Sequence, residues 1–131
     1  MTITKGKTMQ LLLLLAAFFG ATGVALGAFG AHGLADILEA NGRAETFRTA
    51  TLYHLIHTLA LLGLAVLVGQ INHPFISYAG YAFVAGIFFF SGSLYVLAIF
   101  DISIMGAVAP IGGTALVIGW VLLGIAAWQS T

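Results

Sequence analysis

The side chains able to do chemistry in this sequence are few. Four histidines, at 32, 54, 57 and 73, are its only groups that titrate near neutral pH. Tyr53 and His57 stand at i, i+4, so a helix puts them on one face. Thr58 follows, and His54 lies about one-sixth of a turn away. A proton relay, haem or quinone ligation, or metal binding would use such groups. The plainer alternative is an interhelical hydrogen bond, to Ser91, Ser93, Tyr95 or Thr22, stabilising by about 0.6–2 kcal/mol. His32 closes the run Gly30-Ala31-His32-Gly33, with Asp36 at i+4, within pairing reach if the helix continues. His73 precedes a proline and indicates only a loop. Zinc-type sites need three or four ligands at signature spacing, and none is present. Haem needs one or two axial ligands, which His32 and His57 could supply from two helices. No nucleophile–base triad, phosphate-cradling loop or pair of buried carboxylates is visible. The absence of cysteine excludes thiolate ligands, a cysteine nucleophile and disulfides. No catalytic residue, metal or cofactor is therefore expected.

The elements that must position these groups are dictated by composition. Hydrophobic residues make up 61% of the 131-residue chain and charged ones 6%, against about 25% charged in a soluble domain. A soluble globular enzyme, a disordered tail and a nucleic-acid binder are excluded, the last for want of a basic face. Lys5 and Lys7 sit in the N-terminal tail; Asp36, Glu39, Arg43, Glu45 and Arg48 cluster; Asp101 is the one later charge. Between these islands run apolar segments 9–31, 50–68, 75–100 and 109–128. Each is long enough to cross about 30 Å of hydrocarbon as a helix. Residues 11–15 and 87–90 do not alternate, which excludes a β-barrel. The fold class is all-α: one membrane domain of four helices, at 9–31, 45–69, 75–100 and 109–128, packed as a bundle.

The first segment has the basic start and leucine core of a secretory signal, but it exceeds the usual core length of about 7–15 residues. It is read as a retained span. Leu34, Ile37 and Leu38 make one apolar stripe, with Asp36 and Glu39 off it. This predicts a short interfacial helix between the first two spans, with Asp36 and Arg43 as an interfacial pair. Asn41-Gly42 is a stop and turn. Pro74 starts the third span. Residues 103–108 are expected to form a loop, with the fourth span starting near Ala109 beside Pro110. Trp128, at a span end, fits an aromatic belt, whereas Trp120 falls mid-span. Four crossings put both termini on one side. Lys5 and Lys7 favour the cytoplasm, and the location is expected to be the cell inner (plasma) membrane.

Small residues run in heptad rhythm. The first span carries Ala16, Gly20, Gly23, Gly27 and Gly30; the fourth carries Gly112, Ala115, Gly119 and Ala126. The third carries Ala79, Ala82, Gly86 and Ser93. Helices in lipid are held by close van der Waals contact, so these are packing seams within a bundle or between copies. Membrane lipids and further copies of the chain are the expected partners.

Four ordered blocks carry a resemblance. Gly27-Ala28-Phe29-Gly30-Ala31-His32-Gly33-Leu34 resembles the signature of the YgdD/YwdK family of small bacterial inner-membrane proteins. Tyr53-His54-Leu55-Ile56-His57-Thr58, Ser91-Gly92-Ser93-Leu94-Tyr95, and Pro110-Ile111-Gly112-Gly113 with Gly119-Trp120 resemble its later blocks. The match spans residues 20–128. It implies a four-helix membrane protein and no reaction. By the same resemblance the family's histidine stands at His57, and His54 is an addition of this chain. The resembling blocks contain the residues singled out above. They are expected to meet in one polar cluster of His32, Tyr53, His57, Ser91, Ser93 and Tyr95, toward the first loop. The expected role is structural or assembly-related and homo-oligomeric. The alternatives are passage of protons or a small solute, and binding of haem, quinone or lipid.

Overall fold

A computed structural model describes residues 2–130. Helices run α1 (Thr2–Ala31), α2 (Ala35–Ala40), α3 (Ala44–Gln70), α4 (Pro74–Gly86), α5 (Gly92–Phe100) and α6 (Met105–Gln129). A π turn at Ile87–Ser91 joins α4 to α5 into one span. Among the described residues, four helices are thus long and apolar enough to cross a membrane. The chain is all-α among the described residues.

The spans do not contribute equally. α3 and the α4–α5 span form the middle of the bundle. α1 packs mainly on α3, while α6 packs on α4, the π turn and α5. The buried stripe of α3 is Phe47, Ala50, His54, His57, Leu61, Leu64 and Val68. That spacing of three and four is a coiled-coil seam. Leu61, Leu64 and Ala65 meet Leu12 of α1 and Ile76, Ala79 and Phe83 of α4 in the larger core. Phe47 and Ala50 meet Leu38 of α2 and Tyr95 and Ala98 of α5 in a smaller one near the first loop.

The glycines act as seats for large side chains. A Cβ on Gly119 would lie 2.5 Å from the Phe83 ring, and one on Gly23 would lie 3.3 Å from the His54 ring. Gly30 seats Phe47, Gly80 seats Leu12 and Gly86 seats Leu116. The seams of α1 and α6 are therefore used inside the protomer. On α6 the buried line is Ala109, Gly112, Leu116, Gly119 and Ala126, so Leu116 takes the place expected for Ala115.

The third loop is shorter than expected. α6 starts at Met105, and only 101–104 connect it to α5. The N–H groups of Met105, Gly106 and Ala107 donate to the carbonyls of Ile102, Ser103 and Ile104. These i−3 bonds satisfy donors that a helix start leaves open, so the helix begins before Pro110 and carries the proline in its second turn. The first loop is docked on the far end of the third span. Asn41 Nδ2 donates to Ala98 O at 3.0 Å and Ile99 O at 3.1 Å, covering carbonyls that the end of α5 leaves open. Asp101 then turns the chain in the left-handed region at φ 54°, which aspartate tolerates better than most side chains. Asn41→Ala should cost about 1 kcal/mol, read as a lower thermal midpoint in detergent. Asp101→Asn, which keeps the left-handed preference and loses only an exposed charge pair, should cost less.

Candidate functional site

The polar residues within the spans form two networks, both centred on α3. At about 1.5 Å per residue, His54 and His57 lie roughly 15–20 Å along a helix about 40 Å long, hence near the middle of the membrane. Both are 4% exposed. They point to different neighbours.

His54 reaches α5 and α1. Its Nδ1 is 2.9 Å from the Tyr95 hydroxyl, and its Nε2 makes a longer 3.4 Å contact with Thr22 Oγ1. Thr22 already donates its one hydroxyl hydrogen to Phe18 O at 2.9 Å. It can therefore only accept from His54, so Nε2 carries the hydrogen and Nδ1 accepts from Tyr95. Phe19 and Tyr95 pack edge-on against the ring, each at 5.8 Å between centroids. Thr58 donates to His54 O at 2.7 Å.

His57 reaches α6. The Trp120 indole N–H donates to its Nε2 at 3.0 Å, and its Nδ1 lies 2.7 Å from Tyr53 O. An indole only donates and a carbonyl only accepts, so here Nδ1 carries the hydrogen. The two histidines hold opposite tautomers. Phe83 packs between His57 and Trp120, at 5.3 and 5.0 Å.

Below these rings the π turn is clamped from both sides. Ser91 Oγ donates to Ala50 O of α3 at 2.8 Å. Gly112 of α6 lies against the backbone of Phe89 and Phe90, and Gly113 rests on the Phe90 ring. Among the described residues no buried side-chain nitrogen or oxygen lacks a partner.

Of the residues expected in one cluster, the structure draws His57, Ser91, Ser93 and Tyr95 into the interior and leaves two outside. Tyr53 is 41% exposed. The buried seam passes through His54 and His57, and Tyr53 lies beyond its edge, stacked on His57 and tilted against Phe90. His32 is exposed, because α1 ends at Ala31 and the chain turns there. That turn also separates it from Asp36. Ser93 is buried but bonds only Phe90 O of its own span, at 2.9 Å. The expected Asp36–Arg43 pair is replaced: Arg43 Nε donates to Asp101 at 3.2 Å, because the docking of Asn41 brings the end of α5 to it. Arg48 pairs with Glu45. Among the expected packing glycines, Gly20, Gly23, Gly27 and Gly30 face Thr58, the Leu55–His54 pair, Thr51 and Phe47 of α3.

His54 is missing from the expected cluster: the i, i+4 face of Tyr53 and His57 is the exposed edge of α3, and His54 and His57 both lie on the buried seam, which only the neighbouring helices define. Nothing in the sequence marks Trp120, whose partner is 63 residues away. His73 does more than sit in a loop. Its Nδ1 accepts from Phe75 N at 3.1 Å and caps α4, and its Nε2 is 2.7 Å from Gln129 Oε1. It ties the second loop to the end of α6.

The profile of the family described as "Protein of unknown function (DUF423)" matches residues 26–113. The chain is 41% identical over 121 residues to a UPF0382 membrane protein of Staphylococcus aureus (strain bovine RF122 / ET3-1), covering 92% of this chain and 98% of the relative. It is 38% identical over 120 residues to UPF0382 membrane protein YwdK of Bacillus subtilis (strain 168), covering 91% and 97%. A UPF0382 membrane protein of Haemophilus influenzae is 40% identical over 118 residues, covering 90% and 94%. No solved structure matches. With four spans and a family profile covering its two central histidines, the chain belongs to the DUF423 family, the UPF0382 membrane proteins of unknown function.

Proposed function

We propose that the protein is a helical scaffold of the bacterial inner membrane that acts through assembly as a homo-oligomer. The observation that carries this reading is the occupancy of the two buried histidines. Every ring nitrogen has a partner within the chain, and each ring ties α3 to another span. A proton relay must exchange partners at each passage, and a haem ligand needs a free lone pair. Here the His57 lone pair receives the Trp120 hydrogen, and the His54 lone pair receives that of Tyr95. Such groups hold helices together in lipid. The small-residue seams are engaged inside the protomer, so self-association is assigned to the outer faces of α1 and α6, rich in exposed Phe18, Val24, Val117 and Val121. Lys5 and Lys7 at the start of α1 are assigned to the cytoplasmic side, which puts both termini there.

A second reading, passage of protons or a small solute, draws on one observation. The π turn of the third span and the proline turn of α6 fall beside each other, and interrupted helices near mid-membrane mark many transport sites. One variant separates the two readings. His57→Phe keeps the ring volume and removes the Trp120 bond. The scaffold reading expects a stability loss of about 1 kcal/mol, altered Trp120 emission in a Trp128→Phe background, and no proton flux through liposomes carrying the unmodified protein. Flux abolished by His57→Phe at unchanged stability would replace it with the second. Native mass spectrometry of protein released gently from its membrane reads the copy number, with more than one copy expected and a single copy removing the oligomeric part.

A further inference from the structure

We propose that the groove between α1 and α3, beneath α2, holds one phospholipid with a zwitterionic, primary-amine headgroup, placed between Arg48 and Glu39. The groove is open along one side and has a volume of about 870 Å³. Its walls are mainly apolar, with Gly27 and Gly30 on α1 and Leu52 and Leu55 on α3, and the one hydroxyl among them, that of Thr51, donates to Phe47 O. Leu52 both lines it and is exposed, so it opens sideways, where acyl chains run. Its mouth is polar. Arg48 lies in the second turn of α3 and Glu39 on α2, at the level of the helix ends. From Arg48 to Leu55 the groove runs about 10 Å along α3, from the headgroup layer into the hydrocarbon.

The charges at the mouth choose the occupant. Arg48 gives one N–H group to Glu45, and its remaining guanidinium nitrogens have no partner among the described residues. Glu39 has no side-chain partner there either. The mouth therefore offers guanidinium donors to a phosphate and carboxylates to an ammonium. Two carboxylates stand against one guanidinium, so a headgroup of net negative charge is repelled and one carrying both signs is accepted. A primary ammonium can donate hydrogen bonds to Glu39, the carboxylate that lines the mouth; a quaternary one cannot. This assignment stands apart from the histidine networks, which lie deeper and use none of these side chains.

The test is native mass spectrometry of the full-length protein in detergent, offered equal amounts of phosphatidylethanolamine, phosphatidylglycerol and phosphatidylcholine with identical chains. The expected result is a single phosphatidylethanolamine adduct that exceeds the other two. Arg48 is 74% exposed, so Arg48→Gln leaves the fold intact, and it should weaken that adduct about two- to fivefold, the worth of one exposed charged contact. Ala31→Leu, which fills the groove from the α1 side, should weaken it as well, with helicity unchanged by circular dichroism. Equal adducts of the three lipids, a preference for phosphatidylglycerol, or an adduct that either variant leaves unchanged would overturn the proposal.

Discussion

Adding one methyl group at Gly112 is expected to destabilise this protein by about 3 kcal/mol or more. A Cβ there would lie 2.5 Å from Phe89 C and 2.6 Å from Phe90 Cα, with Phe90 N nearer still. These are backbone atoms of the π turn, and no rotamer change can move them aside. The turn is also held from behind by the Ser91 bond to Ala50 O. Relief would require α6 to withdraw from the third span, which would in turn pull Trp120 from His57 and Gly119 from Phe83. The neighbouring position is the control. A Cβ on Gly113 would meet only the Phe90 ring, at 3.5 Å, which is ordinary contact. Gly112→Ala should lower the thermal midpoint in detergent by roughly 10 °C, and Gly113→Ala should leave it nearly unchanged. Equal behaviour of the two variants would mean that the π turn and α6 are not in the contact described.

The second large effect is expected at His54 and Tyr95. His54→Phe removes the His54 acceptor of the buried Tyr95 hydroxyl, and Tyr95→Phe leaves the His54 lone pair without a donor. Each should cost about 1–3 kcal/mol, since a buried polar group stripped of its partner bears the full loss of hydration. Removing both groups leaves nothing unsatisfied between α3 and α5. The double variant should therefore cost less than the sum, by about 0.5–2 kcal/mol. Unfolding of the four proteins in a graded denaturing detergent measures the coupling. A strictly additive result would show that the 2.9 Å bond does not hold the spans together.

Composition and pattern carried most of the architecture. Apolar runs of this length admit only membrane-spanning helices, because lipid offers no partner for an open backbone. Asn41-Gly42 marked the turn after the short helix, and Gly42 takes φ +65° there. The third loop is shorter than the sequence suggests because Pro110 reads as a helix start, whereas the carbonyls of 102–104 accept from the first N–H groups of α6 several residues earlier. At the candidate site, the burial of His57 and Tyr95 was legible from the cost of polar groups in lipid. Which side of α3 faces inward was not. Tyr53 and His54 flank His57 on the helix surface, and only the neighbours decide which of them is covered.

Composition and spacing alone dictate a four-span helical membrane protein with small-residue seams and a few polar groups that must find partners inside it. Those are consequences of local composition and of the bilayer as solvent. How those partners are shared is set by the packing of the spans. The π turn inserts a residue without completing a turn, rotating all that follows by roughly 100° relative to an uninterrupted helix. That rotation sets the face on which Tyr95 meets His54, and the bulge it makes is the one that Gly112 accommodates. Neither effect has a local signature, because this π turn is held by its neighbours, Ala50 of α3 on one side and Gly112 of α6 on the other.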